Sequence, residues 1–279
     1  MQDKAVLLIE TDDERGLVYK VSSALYEMGI NIDQNGEFVE KKIKRFFMRT
    51  EISGNFDDNE LLAKIRNSLP KQTQIKLIPA KKKKIILMVT KEPHCLGDLL
   101  IRNEFGELNA TIEAVIGNHE TLKDLTQKFD IPFHYIDHKN ISREEHEEKM
   151  AEIIDGYSPD NIVLAKFMRV LNPGFVKRYE NKIINIHHSF LPAFIGAKPY
   201  QQAYDRGVKI IGATAHFVNN NLDEGPIIAQ NVINVDHADS AENMASSGRD
   251  VEKIVLARAL KLVFEDRVFV NKNKTVIFD

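Results

Sequence analysis

The chain has 279 residues, enough for one large domain or two modest ones, and its 43% hydrophobic and 28% charged content is ordinary for a globular protein. A formal net charge of −3 removes any global electrostatic case for nucleic acid, and no apolar run approaches the ~20 residues that span a bilayer. The single cysteine, Cys95, rules out an intrachain disulfide. Together with the absence of a charged-then-apolar leader after Met1, it places the chain in the cytoplasm as an expectation.

In chain order, the first strand is expected at Ala5–Ile9, followed by the polar turn Thr11–Gly16. Val18, Val21, Leu25 and Met28 recur at helical spacing up to Gly29. Asn31–Val39 and Ile43–Ile52 read as two strands across a charged turn. Leu61, Leu62, Ile65 and Leu69 mark a second helix ending before Pro70, and Gln74–Ile78 a last strand. The order is βαββαβ, a ferredoxin-like unit over residues 1–80.

The segment Asp13-Glu-Arg-Gly16-Leu17, a helix, then Gly29-Ile-Asn31-Ile resembles an ACT domain. Such domains bind amino acids between paired copies, so the resemblance implies an effector site at Asp13, Gly16 and Asn31. It also implies a homo-oligomer, dimer or tetramer. On the residues alone, Gly16 merely lets the chain enter the helix while Asp13 caps it, and assembly without an effector fits equally well.

Lys81–Lys84 is a lysine run expected to act as linker, with residues 85–279 forming the second domain. Without interleaved aromatics or a second basic cluster it reads as a solvated charge run, not a nucleic-acid contact. Strands are then expected at Ile85–Thr90, Thr111–Ile116, Phe133–Ile136, Asn161–Ala165 and Ile183–His187. Helices are expected near 95–105, 120–129, 142–155 and 173–179; Ser142-Arg-Glu-Glu145 has the capping-box pattern. His146 is expected on the solvated face of its helix. Two β-rich segments, Ile210–Val218 and Ile227–Val235, precede a long helix bearing Val251, Val255 and Leu262. The alternation predicts an α/β domain with a mostly parallel, Rossmann-like sheet.

The chemistry concentrates in Ile183–Gly196 and His216–Pro226. Asn185 and His187 fall on one side of a strand at its carboxyl end, because strand side chains alternate. Ligands bind at that end in open α/β sheets. Asp223 follows in a second loop, with Gly225 and Pro226 expected to let the backbone approach a ligand. An amide, an imidazole and a carboxylate orient a nucleophile, stabilise an oxyanion and move a proton.

Asn185-Ile-His187-His-Ser-Phe-Leu-Pro192 with Leu222-Asp223-Glu-Gly225-Pro226 resembles the folate-dependent formyltransferase family over most of residues 84–279. The resemblance implies that Asn185, His187 and Asp223 act on the formyl group of 10-formyltetrahydrofolate. It implies that Phe167, Met168, Arg169, Val170 and Leu171 hold the pterin, with Val218, Asn219 and Asn220 closing the other side. The loop Thr90–Asp98 departs from members that cradle a substrate phosphate. It keeps a lone glycine, Gly97; Pro93 has no N–H, and Glu92 and Asp98 repel an anion. With the ACT-like module in front, the chain resembles the family's deformylase branch, in which water replaces the amine. The implied role is hydrolysis to formate and tetrahydrofolate, supplying formate for purine synthesis and balancing one-carbon units. The folate is then a substrate, and no cofactor is implied.

Two other readings stay open: transfer of the formyl group to a non-phosphorylated amine, or a silent sensor pairing a folate pocket with an amino-acid site. His188 is expected on the opposite sheet face from His187, and His216 in the core or pocket wall. His94 and Cys95 are acceptor-side candidates, but with no second cysteine or spaced-histidine pattern a metal is not expected. Gly106, Gly117 and Gly156 form no dinucleotide fingerprint.

Overall fold

A computed structural model of the chain describes residues 3–193 and 199–279. Phe194–Lys198, which include the Gly196 that closes the motif begun at Ile183, lie outside the described residues. The chain divides into two compact units, one running to Lys81 with Phe278–Asp279 added, the other Lys82–Ile277. The lysine run is therefore not a four-residue linker. Lys83 already opens a strand, and its ammonium is buried against Asp266 at 2.9 Å.

The first unit has β1 (Asp3–Asp12), α1 (Leu17–Glu27), β2 (Asn31–Glu40), β3 (Arg45–Gly54), α2 (Asp58–Ser68) and β4 (Gln74–Pro79). Its antiparallel sheet has the order β2-β3-β1-β4, the ferredoxin-like arrangement. Leu7 and Ile9 of β1 face Leu17, Val21, Ala24 and Leu25 of α1 and Leu61 and Ile65 of α2. Val18, assigned to that apolar face by spacing, is instead exposed; Leu17 and Ala24 carry the stripe. Asp13 does not cap α1. The residue before the helix is Gly16 at φ 90°, a left-handed conformation that glycine adopts without a Cβ clash, and no side chain caps the end. Asp57 caps α2 by accepting from the Asn59 and Glu60 amides.

The second unit carries a seven-stranded sheet of order β11-β10-β9-β8-β5-β6-β7. Its strands are β5 (Lys83–Val89), β6 (Ala110–Gly117), β7 (Phe133–Tyr135), β8 (Asn161–Leu164), β9 (Ile183–His187), β10 (Ile210–Phe217) and β11 (Ile227–Asn234). From β9 to β7 all neighbours are parallel; β10 runs antiparallel to both β9 and β11. The helices are α3 (His94–Glu104), α4 (Lys123–Gln127), α5 (Arg143–Tyr157), α6 (Pro173–Arg178), α7 (Pro199–Asp205) and α8 (Ala241–Phe264). Alternation along β5 divides the core. Ile85, Leu87 and Val89 pack with α3 and α8, while Ile86 and Met88 pack with α5 and α6, all five fully buried. Each such side chain contributes about 1.5–3 kcal/mol.

Only half of the expected capping box on α5 forms. Ser142 accepts from the Glu145 amide, but the Glu145 carboxylate turns to Lys149 at 2.8 Å. His146 is not on a solvated face. It is buried, with Nε2 3.2 Å from the Ile136 carbonyl. The short helix α7 and the terminal hairpin β12 (Val268–Asn271)–β13 (Lys274–Ile277) were not expected from the sequence. No described helix is long and apolar enough to cross a membrane.

The chain runs outward from β5 to β7, then returns to the other side of β5 at β8. That reversal opens a crevice at the carboxyl ends of β5 and β8, where doubly wound sheets bind ligands. The loops leaving those two strands are tied together there: the Met168 amide donates to Thr90 Oγ1 at 2.9 Å.

Candidate functional site

A cavity of about 350 Å³ opens at this crevice, lined by Lys166–Leu171, Asn185–His188, His216 and Val218–Asp223 among others. It is within the ~300–1,000 Å³ of small-molecule sites. The structure thus brings Asn185, His187 and Asp223 to one cavity with all eight residues expected to hold the folate: Phe167, Met168, Arg169, Val170, Leu171, Val218, Asn219 and Asn220.

Each polar group has a local reason for its place. β9 ends at His187, so Asn185 and His187 share a face while Ile184 and Ile186 enter the core. Register pairs Asn185 with His216 across β9 and β10. His216 Nδ1 lies 2.9 Å from the Phe217 carbonyl and so carries the proton; Nε2 accepts from Asn185 Nδ2 at 3.3 Å. His216 is buried, and burial holds its pKa below the usual imidazole value. Its expected place in the core or pocket wall agrees with this geometry.

Asp223 sits in a turn built by asparagines. Asn219 Oδ1 accepts from the Asn221 amide, and Asn221 Nδ2 donates to Glu224. Asp223 itself adopts φ 56°, a left-handed conformation that aspartate tolerates better than most residues. Gly225 does not approach a ligand, contrary to the sequence expectation; it lies under the Phe217 carbonyl, where any Cβ would overlap that oxygen. Asp223 Oδ1 lies 3.3 Å from His187 Nδ1 and 3.9 Å from His216 Nε2. Burial pushes the Asp223 pKa up, but the hydrogen bond and charge of His187, with His216 and His188, outweigh it and hold the carboxyl below its usual range. His187 Nε2 is buried and without a protein partner among the described residues. The three groups therefore present an amide, an unpaired ring nitrogen and a carboxylate to one small volume.

His188 does not point to the far face. The strand ends before it, and its ring stacks on His187 at 5.1 Å and tilts against Tyr200 at 6.2 Å. Asp13, Gly16 and Asn31 belong to the other unit; Asn31 Nδ2 donates to Asp33 and the Asp13 amide to the Lys44 carbonyl.

A second polar cluster adjoins the trio and was missed from the sequence. Glu252 of α8 is 1% exposed, yet it accepts from Tyr200 Oη at 2.7 Å. Its other oxygen lies 2.8 Å from His94 Nε2 and 3.3 Å from the buried Lys166 ammonium. Burial opposes ionisation, but His94, the Lys166 charge and Tyr200 outweigh it and hold the Glu252 pKa at about 2. The available signal was a glutamate in the buried stripe Met244, Gly248, Val251, Val255 of α8. His94, Cys95 and Glu252 place ligating atoms within 4.8 Å of one another, but Lys166 already supplies the cation, and burial drives the Cys95 thiol pKa up.

Replacing Glu252 by glutamine takes from the buried Lys166 ammonium its nearer and only buried carboxylate partner among the described residues, leaving the half-exposed Glu92 at 4.0 Å, at an expected cost of about 3 kcal/mol at pH 7. The folded pKa lies below the ordinary 4.5, so the stabilisation is complete above pH 4.5 and is lost as pH falls towards 2. Urea unfolding at pH 7 and pH 3 should show a wild-type advantage that shrinks with acid.

Residues 83–260 match the family model for formyl transferase. The formyltetrahydrofolate deformylase of Haemophilus influenzae is 58% identical over 277 residues, covering 99% of this chain and 100% of that protein. That of Escherichia coli K12 is 57% identical, covering 98% of each. A crystal structure of a formyltetrahydrofolate deformylase from Pseudomonas syringae superposes with a TM-score of 0.95 at 41% identity, covering 100% of this chain and 95% of that one. With sequence, fold and full-length coverage in agreement, this chain belongs to the formyl transferase family and, within it, to the formyltetrahydrofolate deformylases.

Proposed function

We propose that the protein hydrolyses 10-formyltetrahydrofolate to formate and tetrahydrofolate at Asn185, His187 and Asp223. The observation that carries the site is the convergence of these three on the cavity that also holds the loops Phe167–Leu171 and Val218–Asn220. The full-length relatives carry the choice of water as acceptor.

Water adds its oxygen to the formyl carbon as the C=O π pair moves onto oxygen. Asn185 Nδ2–H and the protonated Nε2 of His187 donate to that oxyanion. Asp223 orients the water and accepts its proton. Collapse of the tetrahedral intermediate breaks the C–N10 bond, the proton finishes on N10, and formic acid ionises to formate. The loop at Thr90–Asp98 supports water over a phosphorylated acceptor: Pro93 precedes α3 without an N–H, and Glu92 lies beside His94 and Lys166. The formate so released suits supply of one-carbon units to purine synthesis. The first unit is read as an ACT-like module for assembly and an amino-acid effector, on its βαββαβ order and the glycine turn into α1.

Incubating the purified protein with 10-formyltetrahydrofolate alone and measuring formate tests the reading. Release without added amine is the expected result; release only with an amine makes the protein a transferase, and no release makes it a silent sensor.

A further inference from the structure

The trio leaves an attacking water incompletely held. Asp223 Oδ1 is engaged by His187, so the carboxylate offers a water one uncommitted oxygen, whereas an ordered water takes two to four partners. His188 lines the same cavity as the trio, and its imidazole makes no hydrogen bond among the described residues. Its ring is nonetheless packed against two others, His187 and Tyr200. Tyr200 is pinned in turn, its hydroxyl on Glu252 and its ring edge so close over Gly248 that any Cβ there would collide with it.

Titratable groups from four places in the fold act on this ring, while α7 and β10 present only uncharged residues to it. Burial, the Lys166 ammonium from the loop after β8, and His187 from β9 push the His188 pKa down. Glu252 of α8 and Asp223 of the loop after β10 push it up, and the balance is about 4. At neutral pH the ring is uncharged and keeps one nitrogen as an acceptor. Lys166 is itself buried and held at φ 63°, an uncommon conformation for a lysine, with its ammonium anchored on Glu252.

We propose that His188 is the second ligand of the hydrolytic water, accepting one O–H while Asp223 accepts the other. A water with both hydrogens so engaged turns a lone pair towards the formyl carbon. The proton still leaves through Asp223, and Lys166, Tyr200 and Glu252 act as positioning residues for the ring. This rests on the hydrolytic reading above.

The test compares formate release and tetrahydrofolate binding in wild type, His188→Ala and His188→Gln. His188→Ala should lower kcat by about 10²-fold, the scale of losing a reactant's alignment, with KM and tetrahydrofolate binding changed by no more than about threefold. His188→Gln, whose amide oxygen still accepts, should recover about tenfold of that loss. An alanine variant with near-normal kcat overturns the proposal, as does a glutamine variant no better than alanine. Parallel loss of tetrahydrofolate binding in both variants also overturns it, since the ring is then only cavity wall. A wild-type protein that releases no formate without an amine defeats the hydrolytic reading, and with it this one.

Discussion

Asp223→Asn should lower formate release by about 10²–10⁴-fold, the range for removing a general base, while tetrahydrofolate binding stays within about threefold of wild type. Asparagine is the informative replacement because it keeps the shape and tolerates the φ of 56° at this position. The substitution therefore removes charge and basicity without rebuilding the turn. The neighbours of Asp223 hold its pKa below the ordinary carboxylate range, so the group is ionised throughout neutral and mildly acidic pH. Two consequences of sign follow. The loss of rate through protonation of Asp223 belongs below the ordinary value of 3.8, and the stability that its ionised form contributes is present above 3.8 and disappears as pH falls below it. The variant should lose both. Near-normal turnover in Asp223→Asn would defeat the proton role given to this residue.

Strand β9 was legible to the residue, Ile183–His187, because a buried apolar run breaks into polar groups and then a Pro/Gly loop. The order of the second unit followed from the same periodicity. Periodicity failed where a polar residue is buried by partners distant in sequence. His146 sits in an acidic run and reads as solvated, yet it lies under the Ile136 carbonyl. Lys83 reads as part of a charged linker, yet it is buried against Asp266, 183 residues away. The Glu252 cluster is the functional instance. His94, Lys166, Tyr200 and Glu252 come from four separate segments, and no spacing along the chain announces their meeting. His188 was misplaced for a different reason: alternation was extended one residue beyond the end of the strand that licenses it.

Asn185→Ala should lower kcat by about 10²–10³-fold, close to the measured scale for losing one oxyanion-hole donor. The side chain has a second duty that must be separated from the first. Its amide donates to His216 Nε2 at 3.3 Å, so truncation also strips a buried ring nitrogen of its donor, at about 1–3 kcal/mol of stability. Stability loss alone reduces the amount of folded enzyme, not the rate of each folded molecule. Titrating active protein by tetrahydrofolate binding therefore divides the two effects. The double variant Asn185→Ala/His187→Ala gives the sharper result. If both groups serve one oxyanion, the combined loss should fall well short of the product of the single losses, because residues acting as a unit are not additive. Fully multiplicative losses would mean that Asn185 and His187 serve different atoms, and the shared oxyanion site would have to be abandoned.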